Sequence, residues 1–540
     1  MTGDLLAELR RRGVTDVDDS TLARALYSSD ASLYRVVPQV VVRPRHADEI
    51  LATLDAARAL GVPLTARGAG TSIAGNAVGA GIVVDTARHL NRVLSIDHDA
   101  RTAVVQPGVV HATLTRAALA HGLRFGPDPS THTRCTVGGM IGNNACGSRA
   151  LGYGRTADNV AGLKVAFGTG EEVEVGGRVP GPDPGGPRTS TTGAEQALTS
   201  LVDEHLGHVR TSFGQFTRQV SGYSFEHLLP ENARRTDRFL VGSEGTLALV
   251  LEAEVELVPD DRDRRLLVLG YPSMAHAADA VPAVLAQGRD DTARIVACEG
   301  LDSRIVDLVR GRGSGVPDLP RGSGWLFVEA AGVGADGLVD AVARQAGALD
   351  HRLVADPREA AALWRIREDG AGLAARSLSR PAYSGWEDAA VPPDRLGDWL
   401  REFDDLLREH GLDGVPYGHF GDGCVHVRID FEFDDGGRRF RDFLVAGAKA
   451  LKAYGGSLSG EHGDGRARSE LLPLMYDEGS LELFAAAKAI CDPDNVLNPG
   501  VLVDPAPLDA DLRPARSPHP VRTALRLTHD DGSLPAAVHR

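Results

Sequence analysis

The sequence predicts an α+β protein of more than one domain, and three observations lead there. At 540 residues the chain exceeds what one hydrophobic core usually organises. Strand and helix patterns follow one another in mixed order to about residue 258, and a new β–α pattern starts at 265–270. Late in the chain, Asp422-Gly423 between β-branched and aromatic flanks is a strong hairpin signal, which requires antiparallel strands.

The elements read in order as follows. Residues 1–36 carry short helical patterns (Leu5, Leu6, Leu9), a valine-rich β stretch starts at Val37, and Asp48 to Leu60 has helical periodicity. From 62 to 107 come a strand, a glycine loop, the strand Ile82-Val83-Val84, then Val93 to Asp97 and Thr102 to Val105. The Pro/Gly/Ser stretch at 176–193 reads as a surface loop, as does Gly311 to Gly322. An amphipathic helix over 438–454 is ended by Gly455-Gly456, and a last helix near 481–490 stops at Asp492-Pro493. From Val503 the chain is rich in proline, aspartate and arginine and reads as a tail or linker. The predicted divisions are therefore 1–36, 37–260, 261–440, 441–502 and 503–540, with no internal repeat.

Composition narrows the function. A formal charge of −16, from 58 basic and 74 acidic residues, argues against nucleic acid as a partner. Only Lys164, Lys449, Lys452 and Lys488 are lysines, so arginine is the default surface cation and a single arginine is weak evidence of a site. Cys135, Cys146, Cys298, Cys424 and Cys491 are scattered without a C-x-x-C, which fits a reducing compartment and no iron–sulfur cluster of usual spacing. Met1 to Gly13 lacks the apolar core of a secretory signal, and the long uncharged run Gly68 to Val84 is too rich in glycine and polar residues to span a membrane. The expected place is the cytoplasm, free or peripheral to a membrane.

The densest chemistry lies in Gly418-His419-Phe420-Gly421-Asp422-Gly423-Cys424-Val425-His426 and in Gly460-Glu461-His462-Gly463-Asp464-Gly465. A two-residue type I′ turn at Asp422-Gly423 pairs Gly421 with Cys424, Phe420 with Val425 and His419 with His426. Directly opposed residues have Cβ atoms about 4.5–5.5 Å apart, so both imidazoles reach one metal ion, with Glu461 as a third ligand and an open fourth position. In this register Cys424 shares a face with His426, as a fourth ligand or as a small half-buried residue. The other reading is a glycine-rich turn whose histidines only hydrogen-bond backbone.

Three glycine loops precede these motifs. Arg67-Gly68-Ala69-Gly70-Thr71-Ser72 lies between two strands, and its glycines let backbone N–H groups converge on an anion. Thr136 to Ser148 follows Pro127-Asp128-Pro129-Ser130, and Gly242 to Leu247 is the third. No G-x-x-x-x-G-K-[ST] occurs, and Gly152-Tyr153-Gly154 lacks the strand-to-helix context of a dinucleotide fingerprint.

In this order, with Asn498-Pro499-Gly500 near the end, the motifs resemble those of the FAD-linked D-2-hydroxyacid dehydrogenases: D-lactate dehydrogenase of the cytochrome type, the glycolate oxidase flavin subunit and D-2-hydroxyglutarate dehydrogenase. The resemblance runs from about Tyr27 to Leu502. It implies a two-subdomain FAD-binding domain of the vanillyl-alcohol-oxidase type and an α+β substrate domain with an antiparallel sheet. Ser221 to Leu229 and the tail are similar to a longer subgroup, in which an iron–sulfur domain follows where this sequence stops.

The resemblance also implies roles. FAD contacts fall on Arg67, Gly68, Ala69, Gly70, Thr71, Ser72, Pro127, Asp128, Ser130, Thr136, Gly138, Gly139, Asn144, Gly147, Ser148, Glu244, Gly245, Thr246 and Asn498. Thr71 stands where relatives with covalent FAD carry histidine, which implies noncovalent FAD; Met140 and Cys146 depart from the frequent asparagine and glycine. A divalent metal, zinc by its ligands, falls on His419, His426 and Glu461, the base on His462, and the substrate carboxylate on Arg367. Cys424 stands where asparagine is common. Tyr383 to Asp388 offers no further cation for a second carboxylate, although Arg380 is near. The expected reaction is oxidation of a D-2-hydroxy acid, with a quinone, flavoprotein or iron–sulfur partner as separate electron acceptor. An oxygen-using oxidase, a metallohydrolase on the His–His–Glu set and a non-catalytic flavin-binding subunit are the competing readings.

Overall fold

The computed structural model describes residues 2–176, 193–216, 218–261, 263–288, 292–311 and 315–513. Three sheets carry the architecture. The first joins β1 (Val17–Asp18), β2 (Val40–Val42), β3 (Leu64–Arg67) and β4 (Ile82–Asp85) in the order β1-β2-β4-β3. β2, β4 and β3 run parallel, so both faces must be covered, and β2 and β4 are nearly unbroken apolar runs. The helix Ala47–Leu60 supplies the crossover between β2 and β3, ending at Gly61 in the left-handed region (φ 60°).

The second sheet contains β5 (Val93–Asp97), β6 (Thr102–Val105), β7 (Leu123–Phe125), β8 (Val160–Phe167), β9 (Glu172–Gly176) and β10 (Ala248–Pro259). Its order is β5-β6-β10-β8-β9, with β7 also on β10. The third is an antiparallel sheet of β11 (Arg264–Tyr271), β12 (Arg294–Asp302), β13 (Gly324–Ala331), β14 (Asp350–Val354), β15 (Glu387–Ala390), β16 (Gly414–His419) and β17 (Cys424–Ile429), ordered β14-β11-β13-β12-β16-β17-β15. Helices Leu396–Glu409 and Arg438–Ala453 cover part of this sheet through a cluster containing Trp386, Trp399, Phe403 and Phe443. Truncating a fully buried aromatic such as Trp399 to alanine costs about 3–5 kcal/mol.

The chain then returns to the first two sheets. Helix Glu478–Cys491 places the buried Lys488, whose Nζ donates to the carbonyls of Thr246 and Leu497 at 2.8 and 2.7 Å. Asn498 follows in the left-handed region (φ 41°), donating to the carbonyls of Asn76 and Glu244.

One expectation is corrected. Residues 503–513 are part of the packed structure rather than a tail: Leu508 and Leu512 are buried, and the Tyr34 hydroxyl donates to the Leu508 carbonyl at 2.6 Å. Two leucines among the prolines and aspartates suffice to anchor the segment on residues 33–36. The loop expected at 176–193 lies, from 177 to 192, outside the described residues, as do 312–314 and 514–540. Among the described residues no helix is long and apolar enough to cross a membrane.

Candidate active site

One cavity runs from the three glycine loops to the third sheet. The first loop leaves β3 at Arg67, whose guanidinium lies over the Tyr27 ring at 5.3 Å and donates to the carbonyls of Ser29 and Ala77. Thr136 caps the helix Val137–Asn143, accepting the Gly139 N–H at 3.2 Å. The two loops touch so closely that a Cβ on Gly68 would sit 2.1 Å from Thr136 Oγ1. Gly142 and Gly245 instead border open space: a Cβ would meet nothing within 4 Å at the first and nothing nearer than 3.8 Å at the second. Both line the cavity, leaving room for a flat cofactor against bare backbone.

At the other end stands the β16–β17 hairpin, whose turn differs from the expected one. The register pairs His419 with Cys424, Gly418 with Val425 and Tyr417 with His426. Phe420–Asp422 forms a 3-10 turn closed by Gly423 at φ 73°. The fully buried Phe420 ring is the reason: it packs so tightly on Gly300 that a Cβ there would lie 2.5 Å from it, which ends strand pairing early. The pairing is displaced by two residues, which preserves faces. His419 and His426 therefore share a face as diagonal neighbours, with ring centroids 5.1 Å apart.

Three imidazoles converge on one carboxylate oxygen. Glu461 Oε1 is 2.9 Å from His419 Nε2, 3.2 Å from His426 Nε2 and 3.5 Å from His462 Nε2. Its Oε2 accepts from the Gly147 N–H at 2.9 Å and from Arg218 at 2.8 Å, while Arg218 also pairs with Asp422. Burial works against a charge on His419, but Glu299 and Glu461 outweigh it and push it up to about 9. For His426, burial dominates and holds it down to about 3, so that ring is a neutral donor. Glu299 accepts from His419 Nδ1 at 3.0 Å, which orients Nε2 towards Glu461.

Asp388 completes the cluster, and sequence reasoning missed it. Ligand atoms of Asp388, His426, Glu461 and His462 all lie within 4.8 Å of one another, a donor set of imidazoles and carboxylates that fits a divalent cation; His419, expected as a ligand, is not among these four, its two ring nitrogens facing Glu299 and Glu461. Asp388 Oδ2 accepts from Ser459 Oγ at 2.6 Å and from the N–H groups of Glu461 and His462. Burial opposes its ionisation, yet the charges of His462 and Arg468 keep it below the ordinary carboxylate range. The residue sits where the β15–β17 register shifts, at φ 97°, and nothing in the order Trp386-Glu387-Asp388 signals such a bulge. Cys424 is not part of this set. Its thiol faces Asp388 Oδ1 at 3.3 Å, and burial and that carboxylate push it well above its usual range.

A buried arginine, Arg367, and a half-buried one, Arg428, line the same cavity. Arg367 pairs with Glu299 at 2.5 Å and lies over the Tyr417 ring at 5.6 Å. Arg428 pairs with Glu387 at 2.6 Å and approaches the Tyr417 side chain. Arg380, the cation noted in sequence, is 43% exposed and pairs with Asp430 and Glu432 outside the cavity. Arg428 and Tyr417 were legible in principle: residues two apart on a strand share a face, so the positions beside His426 and His419 point into the same site.

Of the expected cofactor residues, 67–72, Ser130, Thr136, Gly138, Gly139, Gly147, Ser148, Glu244 and Gly245 line the cavity. Pro127, Asp128, Asn144, Thr246 and Asn498 do not, because their polar groups are committed inside the protein. Asp128 pairs with Arg149 and Asn144 Oδ1 accepts the Ala157 N–H. The Pro127 carbonyl faces His111, and the Thr246 hydroxyl donates to Ser243. They brace the loops from behind.

Residues 38–176 match the FAD binding domain family, and 260–502 match the FAD linked oxidases, C-terminal domain. The chain is 31% identical over 469 residues to D-lactate dehydrogenase of Archaeoglobus fulgidus, covering 86% of this chain and 91% of that protein. The chain belongs to the FAD-linked oxidase family. It is also 30% identical over 539 residues to D-2-hydroxyglutarate dehydrogenase of Pantoea ananatis, which covers 93% of this chain and 51% of that protein. The chain thus spans about half the length of the D-2-hydroxyglutarate dehydrogenase it matches. Glycolate oxidase subunit GlcD of Bacillus subtilis is 29% identical over 90% of this chain and 94% of its own. Among solved structures, p-cresol methylhydroxylase superposes with a TM-score of 0.67 at 13% identity, covering 93% of this chain and 96% of that one. For 4-ethylphenol oxidase from Gulosibacter chungangensis the TM-score is 0.65 at 13% identity, covering 93% and 97%. At that identity the likeness is one of fold.

Proposed function

We propose that this protein oxidises a D-2-hydroxy acid to the 2-oxo acid, with noncovalent FAD against the glycine loops and a divalent metal, zinc by its donor set, on His419, His426 and Glu461. The observation that carries the reading is the convergence of three histidine Nε2 atoms on Glu461 Oε1 at the end of a cavity lined by those loops. FAD supplies a hydride acceptor, and the cation supplies Lewis acidity towards the substrate hydroxyl. Arg367 holds the substrate carboxylate by charge-assisted hydrogen bonds. His462, its backbone fixed by Asp388, takes the hydroxyl proton on its ring. Arg218 and the Gly147 N–H fix Oε2 of Glu461 and leave Oε1 facing the histidines. Arg428 gives the cavity a second cation, which favours a substrate with a second carboxylate. Electrons leave to a separate acceptor, a quinone, a flavoprotein or an iron–sulfur protein.

The test is anaerobic mixing of purified protein with D-lactate, D-2-hydroxyglutarate, glycolate and the L enantiomers, following loss of flavin absorbance. Bleaching by at least one D acid and by no L acid is expected. A colourless protein, or a flavin that no member of the panel reduces, sinks the reading.

A further inference from the structure

The stretch Ser221 to Leu229 stood out in sequence, yet none of it lines the flavin cavity. With the 3-10 helix Phe225–Leu228, the helix Thr236–Leu240 and the loop carrying Gln219, it surrounds a second cavity of about 430 Å³. Arg155, Gln219, Glu226, His227, Arg235 and Arg238 line this cavity, and none of them lines the first. Four buried polar atoms on these residues have no hydrogen-bond partner among the described residues: Gln219 Oε1, Glu226 Oε2, His227 Nε2 and Arg238 Nε. Gln219 is only 2% exposed. Buried polar atoms are nearly always satisfied, and four bare ones around one cavity point to a polar occupant, for which Arg238 Nε is a donor and Gln219 Oε1 an acceptor that a hydroxyl of the same molecule would meet.

The charge balance says which kind. Arg155 pairs with Asp158 at 3.4 Å and Arg235 with Asp237 at 2.6 Å. Arg238 has no carboxylate at ion-pair distance among the described residues; its Nη2 donates to the Asp158 carbonyl at 3.5 Å. Burial, with the charges of Arg155 and Arg238, pushes His227 down to about 4, so its imidazole is a neutral hydrogen-bonding group. Burial also raises Glu226 above the ordinary carboxylate range, which lowers the cost of protonating it beside an incoming anion. We propose that this cavity binds a small oxyanion, the carboxylate or phosphate of a metabolite, between the guanidiniums of Arg155, Arg235 and Arg238. Its position ties it to the first cavity: Arg155 Nη1 donates to the Gln219 carbonyl at 2.9 Å, and the preceding residue, Arg218, holds Glu461.

The experiment is calorimetric titration of the FAD-loaded full chain with sodium phosphate and, separately, sodium malonate, at ionic strength fixed with chloride. One site per chain for at least one anion is expected; phosphate alone identifies a phosphoryl ligand and malonate alone a carboxylate. Arg238→Gln should weaken binding roughly tenfold or more, since a charge-assisted contact is lost, and leave substrate-driven flavin reduction unchanged. In the wild type the bound anion should protect Arg238 from phenylglyoxal, read by peptide mass spectrometry, which holds even if the variant does not fold. No saturable site for either anion, undiminished binding in Arg238→Gln, or labelling of Arg238 indifferent to the anion overturns the proposal.

Discussion

The carboxylate of Asp388 accepts the backbone N–H of His462 at 2.7 Å, and the same oxygen accepts that of Glu461 at 2.9 Å. One buried side chain thereby fixes the main chain of both residues, from a left-handed backbone position (φ 97°) that costs of order 1–3 kcal/mol. Asparagine tolerates that backbone, so Asp388→Asn isolates the loss of charge. It should lower stability by about 1.5–3 kcal/mol, the range for a hydrogen bond to a charged group, and slow flavin reduction with FAD still bound. Denaturant unfolding and stopped-flow reduction read the two effects; a variant unchanged in both would make Asp388 dispensable.

His462→Ala removes the proposed base without touching the groups that fix its backbone. A positioned base contributes roughly 10²–10⁴-fold, and flavin reduction should fall by that order while FAD and metal contents hold. Reduction within a few-fold of wild type would show that the proton leaves by another route.

Much of this site was legible because its chemistry is local in sequence. The loop 67–72, the pair His419 and His426, and Glu461-His462 each announce themselves within a few residues. What was not legible depends on distant packing. The hairpin register turned on Phe420 meeting Gly300, from another strand. Asp388 enters through a bulge that no turn residue marks. Glu299 and Arg218 act on His419 and Glu461 from 120 and 243 residues away in sequence. The strands at 82–84, 93–97 and 102–105 were readable from β-branched runs alone, whereas the burial of 503–513 rests on two leucines in a stretch whose composition says linker.

Arg428 distinguishes substrates if it holds a second carboxylate. Arg428→Leu should raise KM for D-2-hydroxyglutarate by roughly tenfold or more, the scale of one charge-assisted contact, and change KM for D-lactate little. Arg367→Leu should raise both. Steady-state kinetics with an artificial dye checks this, and an equal effect of Arg428→Leu on the two acids would remove it from substrate selection.

FAD should be released intact by acid precipitation, since Thr71 offers no ring nitrogen to bond the flavin. Flavin absorbance remaining in the washed pellet would contradict noncovalent binding.

A pH dependence of stability follows from Glu244, which braces the third glycine loop. Its carboxylate accepts the Asp464 and Gly465 N–H groups at 2.6 and 2.9 Å and Asn76 Nδ2 at 2.7 Å. Burial, then the nearby Asp464, pushes Glu244 up to about 8, and burial raises Asp464 to about 6. In the unfolded chain these groups titrate near about 4.3 and about 3.9. Between those values and the folded ones the native state binds more protons than the unfolded state, so stability falls as pH rises. The contribution is complete below pH ~4 and is lost as pH passes through the folded values. Glu244→Gln carries a neutral amide at every pH and removes this titration. Whatever offset the substitution brings, the fall in Tm from about pH 5 to about pH 8 should be shallower in the variant than in the wild type. Thermal unfolding of the FAD-loaded protein across that range decides it. Parallel profiles would mean that the three N–H donors already keep Glu244 ionised in the folded state, outweighing both its burial and the charge of Asp464.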